Sequence, residues 1–236
     1  MPTLLFRLCG PMQSWGTRSR FTERDTELEP SKSGVIGLVC AALGWPRERD
    51  VSSLAALRFG VRVDSEGTLE RDYHTAGGGG GGIARASGGS SQNAVLSNRY
   101  YLSGADFLCG LESDPAGTGL LAEIGHALES PHWQLSLGRK SFVPSVPVHL
   151  PGGGLREAAL EDALRSEPWP LRPHAHRNRQ PRPAAPMLRL VIEAAPSDSG
   201  AETRMDQPLG AAFRDRPFGP RLVVQSRFSK EETHVP

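Results

Sequence analysis

Cysteine is scarce in this sequence of 236 residues: there are three, Cys9, Cys40 and Cys109, and no two of them form a CxxC pair. This spacing argues against a disulfide framework and against a structural zinc site, so we expect buried, free thiols. No stretch approaches the ~20 apolar residues that a membrane helix needs, and the N-terminus lacks the basic start and cleavage site of a signal peptide. The sequence therefore predicts a cytoplasmic protein that does not associate with a membrane.

Excess charge of either sign is also lacking, because 27 basic residues stand against 26 acidic ones and the formal net charge is +1. A protein that binds nucleic acid alone is usually more basic, since phosphate neutralisation supplies much of the affinity. A nucleic-acid ligand is therefore expected only if the basic residues cluster on one face or if partner proteins share the ligand. The 27 glycines and 20 prolines predict long connections between the secondary-structure elements.

The motifs of several enzyme classes are missing. Pro30–Gly34 lacks the spacing of a phosphate-binding P-loop, no Gly-x-Ser-x-Gly elbow occurs, and no carboxylates stand at a catalytic spacing. His174 and His176 have no neighbouring carboxylate or third histidine, so neither a metal site nor a cofactor is predicted. Arg58–Val61 is only a fragment of the aromatic signature of an RNA-recognition module. Any RNA contacts are therefore expected from loops and insertions.

The first part of the chain predicts a strand followed by a buried helix. Thr3–Cys9 places Leu4, Phe6 and Leu8 on one face at the two-residue period of a strand. Ser33–Leu43 is apolar nearly all round, which predicts a helix packed against a sheet, with a serine cap before it and Gly44 at its end. The helix start is rich in serine and contains Lys32, so its free N–H groups and its dipole favour an anion such as phosphate.

The rest of the pattern predicts a mixed α+β fold. Phe59, Val61 and Val63 alternate with arginines, which indicates a half-buried strand whose other face is basic; Leu69–Thr75 is its candidate neighbour. The glycine-rich stretch 77–91 breaks all periodicity and predicts an exposed insertion. The other predicted elements are strands at Arg99–Leu111, Leu188–Ala194 and Leu222–Phe228, and a helix at Gly119–Glu129. Their order matches a ferredoxin-like (RRM-like) core.

A basic segment lies at Arg165–Arg189. It holds six arginines, two histidines and many prolines, and Glu167 is its only acid. This density of proline excludes a regular helix or a central strand, so an extended basic loop is predicted. RNA, DNA and protein all stay open as the partner of this loop.

Five blocks of sequence within the first 145 residues carry a family resemblance. They are Leu8–Gly16, Pro30–Leu38 with Ala41–Gly44, Arg71–Thr75, Arg99–Leu102 with Ala105–Phe107, and Leu137–Ser141. In this order they resemble the CasD-type subunit of the type I-E CRISPR Cascade complex. The remaining third of the chain is less diagnostic.

The resemblance implies a ferredoxin-like core with a projecting β-hairpin thumb and an irregular C-terminal extension. The core then spans residues 1–145, with the thumb inserted at about 76–98, and residues 146–236 form a basic, proline-rich extension that completes the fold. Such subunits of this antiviral defence complex cap the backbone filament and hold the 5′ handle of the CRISPR RNA without cutting it. The implied partners are CRISPR RNA, CasC-type backbone subunits and the CasA-type large subunit, with target DNA reached only through the complex.

The residue types and the resemblance together predict an RNA-binding site without catalytic or metal-binding residues. The predicted contacts are Gln13, Ser14, Trp15, Lys32, Ser33, Tyr73, His74, Arg99, Arg139 and Lys140. Just after the first strand, the amide of Gln13 can hydrogen-bond an unpaired base and the indole of Trp15 can stack on it, although core packing explains Trp15 equally well. Arg139 and Lys140 are expected at phosphates.

Two other functions stay open. Tyr73, His74 and Lys140 are the residue types that a metal-independent ribonuclease needs as base, acid and cation, and a type I-C relative of the family processes the precursor CRISPR RNA. The second alternative is a protein–protein adaptor whose basic loop contacts another subunit. Cleavage of repeat RNA would identify the first, and RNA retention that survives charge removal would favour the second.

Overall fold

The computed structural model describes residues 1–17, 23–77, 82–84, 89–168, 187–210 and 217–229. The strands in these ranges are β1 (Thr3–Cys9), β2 (Met12–Gln13), β3 (Glu23–Arg24), β4 (Arg58–Ser65), β5 (Thr68–Ala76), β6 (Ile83–Ala84), β7 (Ser90–Ser91), β8 (Val95–Ser103), β9 (Asp106–Glu112), β10 (Leu155–Arg156), β11 (Met187–Glu193), β12 (Glu202–Pro208) and β13 (Phe218–Ser229). The helices are α1 (Lys32–Leu43), α2 (Ser52–Ala55), α3 (Thr118–Glu129) and α4 (Leu160–Ser166). A single 3₁₀ turn at Pro115–Gly117 precedes α3.

A seven-stranded antiparallel sheet forms the centre, in the order β10–β1–β9–β4–β11–β13–β12. A second sheet contains β2, β8, β3 and β5, and in it β5 and β8 form a long antiparallel hairpin, from the pair Thr68–Ser103 to the pair Ala76–Val95. The short strands β6 and β7 pair with each other, between β5 and β8 in the chain. The predicted mixed α+β class is confirmed, with strands predominating.

The central sheet carries an apolar core on each face. Along β1, Leu4 and Phe6 belong to the larger core with α1 and α3, whereas Leu5 belongs to the smaller core with α4. This alternation follows from the two-residue period of a strand, which sends neighbouring side chains to opposite faces. In α1, Val35 and Ile36 are fully buried, which confirms a helix packed against a sheet.

The local predictions for the first strand and helix are confirmed. The strand Thr3–Cys9 has the predicted bounds, and α1 begins one residue earlier than expected, at Lys32. Ser31 caps the helix, because its Oγ accepts a hydrogen bond from the Gly34 amide at 3.4 Å. Gly44 ends the helix in the left-handed region, at φ +68°. The three cysteines are free and buried, as predicted.

Two predictions about β4 were wrong. Its arginines do not form an exposed basic face, because Arg58 at the start of the strand is exposed but Arg62 is not. Arg62 is fully buried and donates hydrogen bonds to Asp64 and to the carbonyl groups of Leu164 and Glu167. The helix α4, which sequence periodicity did not reveal, covers this face. The strand β5 pairs with β8 instead of with β4, since the turn at Gly67, with φ +70°, directs it into the second sheet.

Other boundaries also differ from the prediction. The segment Arg99–Leu111 is two strands separated at Gly104, which takes φ +68°. The strand β12 was not predicted, since its polar sequence has no clear apolar alternation. Residues 169–186 of the predicted basic loop, and 78–81 with 85–88 of the predicted insertion, lie outside the described residues. Within the described ranges, none of the helices has both the length and the apolar character to cross a membrane.

A buried ion cluster joins the roots of the β5–β8 hairpin to the central sheet. Arg7 of β1 lies 2.9 Å from Asp106 (Nε to Oδ1) and 3.0 Å from Asp64 (Nη2 to Oδ2), and Arg62 Nε lies 2.7 Å from Asp64 Oδ1. Asp64 precedes β5 by a few residues and Asp106 follows β8. Burial alone would lower the pKa of Arg7, but the charges of Asp106 and Asp64 outweigh it and raise that pKa.

Replacing Arg62 with methionine should destabilise the protein by about 3–5 kcal/mol. The change leaves two carbonyl groups without this donor and leaves Asp64 with Arg7 as its remaining arginine partner. Urea unfolding would measure the loss. The control is Arg49→Met, since Arg49 is exposed and lies over the Trp45 ring at 3.8 Å. That change should cost less than about 1 kcal/mol. Equal losses in the two variants would contradict the importance of the cluster.

The buried thiols should make the protein less stable in alkali. Burial raises the pKa of Cys9 and of Cys40 from 9.0 to about 11. The unfolded thiols therefore lose their protons at a lower pH than the folded ones, and the free energy of unfolding falls as the pH rises from 9 to 11. Cys40→Ala should reduce the loss between pH 8 and pH 10 by about 1 kcal/mol, measured by urea unfolding under reducing conditions. The same loss in both proteins would contradict this assignment.

Candidate nucleic-acid interface

One face of the β5–β8 hairpin gathers charged side chains from three strands. The register sets Asp72 opposite Arg99 and His74 opposite Ser97, so these four side chains share a face. His74 Nδ1 lies 3.3 Å from Asp72 Oδ2, and Arg99 Nε donates to Ser97 Oγ at 3.0 Å. Arg24 of β3 pairs with Arg99 in the parallel β3–β8 register. Arg24 was not predicted as a contact. The one feature of the sequence that could have indicated it is the long polar segment before the first helix, in which it lies.

Arg139 reaches the same face from a turn later in the chain. Its Nη2 donates to the Tyr100 carbonyl at 2.8 Å, and its guanidinium carbon lies 5.2 Å from the centre of the Phe142 ring. Burial lowers the pKa of Arg139, and the positive charges of Arg99 and Arg24 lower it further, against the opposing charge of Asp72. We call the set Arg24, Asp72, His74, Arg99 and Arg139 the ionic face.

The ionic face favours an anionic ligand. The positive charges of Arg24 and Arg99 act on Arg139. On this face β5 contributes two carboxylates, those of Glu70 and Asp72, to offset the three guanidinium groups. An anion bound among these groups would relieve their repulsion and form charge-assisted hydrogen bonds with them. Lys140 is exposed next to Arg139 in the same turn and adds a fourth basic side chain at its border.

Gln13 and Trp15 lie inside the protein, behind this surface. The Gln13 amide donates to the carbonyl groups of Leu8 and Ala105 at 3.1 and 2.9 Å, and its oxygen accepts from Trp15 Nε1 at 3.2 Å. Trp15 is 1% exposed and packs so closely on Gly34 that a Cβ there would lie 2.8 Å from its ring. Trp15 therefore packs in the core, as the second interpretation of the sequence proposed, instead of being free to stack on a base. The Gln13 amide oxygen holds the indole in place.

Ser14 positions the turn that carries Arg139. The Ser14 amide donates to the Leu137 carbonyl at 3.0 Å, and the turn closes where Leu137 N donates to the Phe142 carbonyl at 2.7 Å. Gly138 has φ +91°, and a Cβ there would lie 1.8 Å from the Ser14 carbonyl oxygen. Only glycine fits this close approach. The contact between Ser14 and Gly138 therefore fixes the position of the backbone from which the Arg139 side chain extends.

The start of α1 already holds an anion, and that anion belongs to the protein. Asp206 Oδ2 accepts a hydrogen bond from the Lys32 amide at 2.7 Å, and Arg221 Nε holds Asp206 Oδ1 at 2.7 Å. Lys32 Nζ lies 2.9 Å from Glu193 Oε2, and burial lowers the Lys32 pKa while Glu193 opposes this. Lys32 and Ser33 are buried in this arrangement and lie apart from the ionic face.

Tyr73 lies on the opposite face of the hairpin from His74, because successive residues of a strand alternate. It is 64% exposed, beside Leu96 at 46% on β8. Two of the three candidate ribonuclease residues are therefore separated by the sheet. Among the residues that the structure describes, no three His, Cys, Asp or Glu side chains converge as a metal site.

Comparisons with known proteins agree along nearly the whole chain. The family model of CRISPR-associated protein (Cas_Cas5) matches residues 3–224. CRISPR system Cascade subunit CasD of Escherichia coli (strain K12) is 35% identical over 159 residues, which cover 62% of this chain and 69% of that protein. A structure described as "Crystal structure of Cas protein" is 44% identical, with a TM-score of 0.74, and the match covers 98% of this chain and 96% of that one. A chain of a "CRISPR RNA-guided surveillance complex" is 32% identical, also with a TM-score of 0.74, covering 96% of this chain and 90% of its own.

Gly138→Ala should destabilise the protein more than an ordinary glycine replacement. The matched control is Gly152→Ala, since Gly152 also has a positive φ, +76°, but has open space where its Cβ would lie. Both changes incur the cost of a left-handed alanine, about 1–2 kcal/mol. Gly138→Ala should lose about 2 kcal/mol more, because it also forces Ser14 away. Chemical denaturation of both variants measures the difference, and equal losses would mean that the contact does not constrain the turn.

Proposed function

The chain belongs to the CRISPR-associated Cas5 family as a CasD-type subunit, and from this we propose that it binds the guide RNA of a Cascade-type surveillance complex without cutting it. The ligand on the ionic face is then the 5′ handle of the CRISPR RNA. The relatives supply the context: one is described as a Cascade subunit, and another belongs to an RNA-guided surveillance complex. CasC-type backbone subunits and the CasA-type large subunit are the proposed neighbours, in the cytoplasm.

The observation that carries the proposal is the grouping of Arg24, Arg99 and Arg139 on one face of the hairpin. The β5 carboxylates on that face are those of Glu70 and Asp72. Arginine side chains offer forked donors that match phosphate oxygens, and phosphate contacts fix the position of a nucleic acid. A chain with a net charge of +1 can bind RNA in this way, because its positive charge is local and other subunits share the ligand. Lys140 is proposed as a further phosphate contact.

The other predicted residues take different parts in the proposal. Gln13, Ser14 and Trp15 support the turn that carries Arg139, through the internal contacts that they make in the free chain. Lys32 holds the start of α1 against Asp206 and Glu193, and Ser33 is buried beside it. Their direct contact with RNA stays a prediction, which would require these internal bonds to open.

The proposed fold of the core is ferredoxin-like. In the central sheet β9 lies between β1 and β4, and β1 lies between β9 and β10. The two units β1–α1–β4 and β9–α3–β10 therefore interleave, which supports a βαββαβ core. The hairpin β5–β8, with the insertion at about 76–98, is the proposed thumb. On this view residues 1–145 form most of the core, and the extension from residue 146 completes it by contributing β10.

Binding without cleavage is favoured over a type I-C-like processing nuclease. Tyr73 and His74 face opposite sides of the hairpin, so they do not form one site as an acid and base pair would. His74 lies beside Asp72 and the arginines, where it can add to the binding of phosphate.

The test measures binding and cleavage of labelled repeat RNA in the same metal-free samples. Arg99→Ala and Arg139→Ala should each weaken binding about tenfold at low salt, because each removes a charge-assisted contact. Each should also reduce the slope of log affinity against log salt by about 0.7, the value for one phosphate of a single strand. Arg49→Ala, which removes an exposed charge outside the ionic face, is the matched control and should bind as the parent protein does.

Two results would contradict the proposal. Equal affinity in the Arg99, Arg139 and Arg49 variants would mean that the ionic face does not bind the RNA. Site-specific cutting that disappears in His74→Ala would make the chain a processing nuclease.

A further inference from the structure

The strand β5 has one unpaired edge. It pairs with β8 over all nine residues from Thr68 to Ala76, and no strand in the described part of the chain pairs with its other edge. Six of these nine residues are exposed. An unpaired edge presents a row of N–H and C=O groups on which a strand of another molecule can form. The backbone of β5 is therefore available for strand addition.

The side chains on one face of this hairpin suit a protein partner. Leu69, Tyr73 and Leu96 are 53%, 64% and 46% exposed and lie on the face opposite the ionic face. Arg71 and Tyr100 oppose each other on the same face. Exposed apolar side chains grouped with tyrosine and arginine are typical of protein interfaces. Nucleic acid fits this face less well, because Arg71 is the one cation that β5 contributes to it.

The charges of β5 specify the sequence of that partner. Glu70 and Asp72 point to one face and Arg71 to the other. If two copies of β5 paired antiparallel about Arg71, each Arg71 would oppose the other and Glu70 would oppose Asp72, so all central pairs would repel. In that register a second copy of this chain is a poor partner. A segment with basic residues opposite Glu70 and Asp72 and an acidic residue opposite Arg71 is complementary.

We propose that the free edge of β5 binds an extended segment of a partner protein with the pattern apolar–basic–acidic–basic–apolar. The segment adds a strand to the hairpin, and its two apolar residues pack on Leu69 and Tyr73. The basic residues pair with Glu70 and Asp72 on the other face. Arg99 and Arg139 lie outside β5, so the proposal does not rest on the RNA-binding function, although Glu70 and Asp72 share the face of these arginines.

The experiment uses the full chain and two fluorescent peptides that differ only in charge order. One is acetyl-Thr-Val-Lys-Glu-Lys-Val-Thr-amide, and the other exchanges its lysines for glutamates and its glutamate for lysine. Fluorescence anisotropy should show about tenfold tighter binding of the first, since three cross-strand charge pairs reverse. The variant Glu70→Lys/Arg71→Glu/Asp72→Lys should prefer the second peptide by a similar factor. Two methylated forms of the first peptide, one for each set of alternate backbone nitrogens, provide a matched pair. The form methylated on the edge that faces β5 should lose binding, because it lacks the ladder donors and places methyl groups between the strands, whereas the other form should bind.

Several outcomes would overturn the proposal. These are equal binding of the two peptides, an unchanged preference in the triple variant, equal binding of the two methylated forms, or no binding of either peptide up to about 1 mM. Arg71→Glu alone, which alters one exposed side chain, serves if the triple variant does not fold, and it should reduce the preference of the parent protein. RNA binding is measured in parallel in the parent protein and in Arg71→Glu, whose altered side chain lies on the face opposite Arg99. Binding by the Arg99→Ala variant tests the ionic face, whereas the peptide preference tests the β5 edge, so the two failures are distinguishable.

Discussion

The buried ion cluster at the root of the hairpin is the constraint on which the candidate sites depend. Asp64 lies near the end of β4, just before β5, and Asp106 begins β9 directly after β8, so both strands of the hairpin leave the central sheet beside these carboxylates. Arg7 and Arg62 hold the two groups together. Buried charges are tolerated only when they are paired and hydrogen-bonded, so the cluster permits one arrangement of the strands that bear it. The ionic face and the β5 edge are carried by strands that start from this fixed point.

The alternation of side chains along a strand then separates the surfaces. Tyr73 and His74 are adjacent in sequence and, as residue types, suggest one site, yet they lie on opposite faces of the hairpin. The same rule divides Arg71 from Glu70 and Asp72. One hairpin therefore presents a charged face suited to phosphates and an apolar face suited to protein. Neither surface needs a pocket, because an RNA strand and an added β-strand are both extended chains.

Local sequence patterns predicted several strands and helices well, but they did not predict which strands pair with one another. The strand β1 and the helix α1 follow from periodicity and caps within a few residues of sequence. The pairing of β5 with β8 and the burial of Arg62 depend on elements far along the chain, which periodicity cannot report. The anion at the start of α1 illustrates the difference: the helix start does attract an anion, but the anion is Asp206, 174 residues away from Lys32. Arg99 and Arg139 were found as candidates because both lie in the sequence blocks that resemble the CasD-type subunit and because arginine suits phosphate, which requires no assumption about strand pairing.

The net charge of the chain does not decide whether a surface is positive, because the positions of the charges matter as well. Inside the protein, Asp64 and Asp106 pair with Arg7, Asp206 pairs with Arg221, and Glu29 pairs with Arg189. Such pairs remove equal numbers of positive and negative charges, so they leave the charge balance of the remaining groups unchanged. Any positive surface must therefore come from where the remaining basic groups lie. On the ionic face three arginines stand beside the carboxylates of Asp72 and Glu70, so it is the grouping of these arginines, and not the composition, that supports the proposed contact with phosphates.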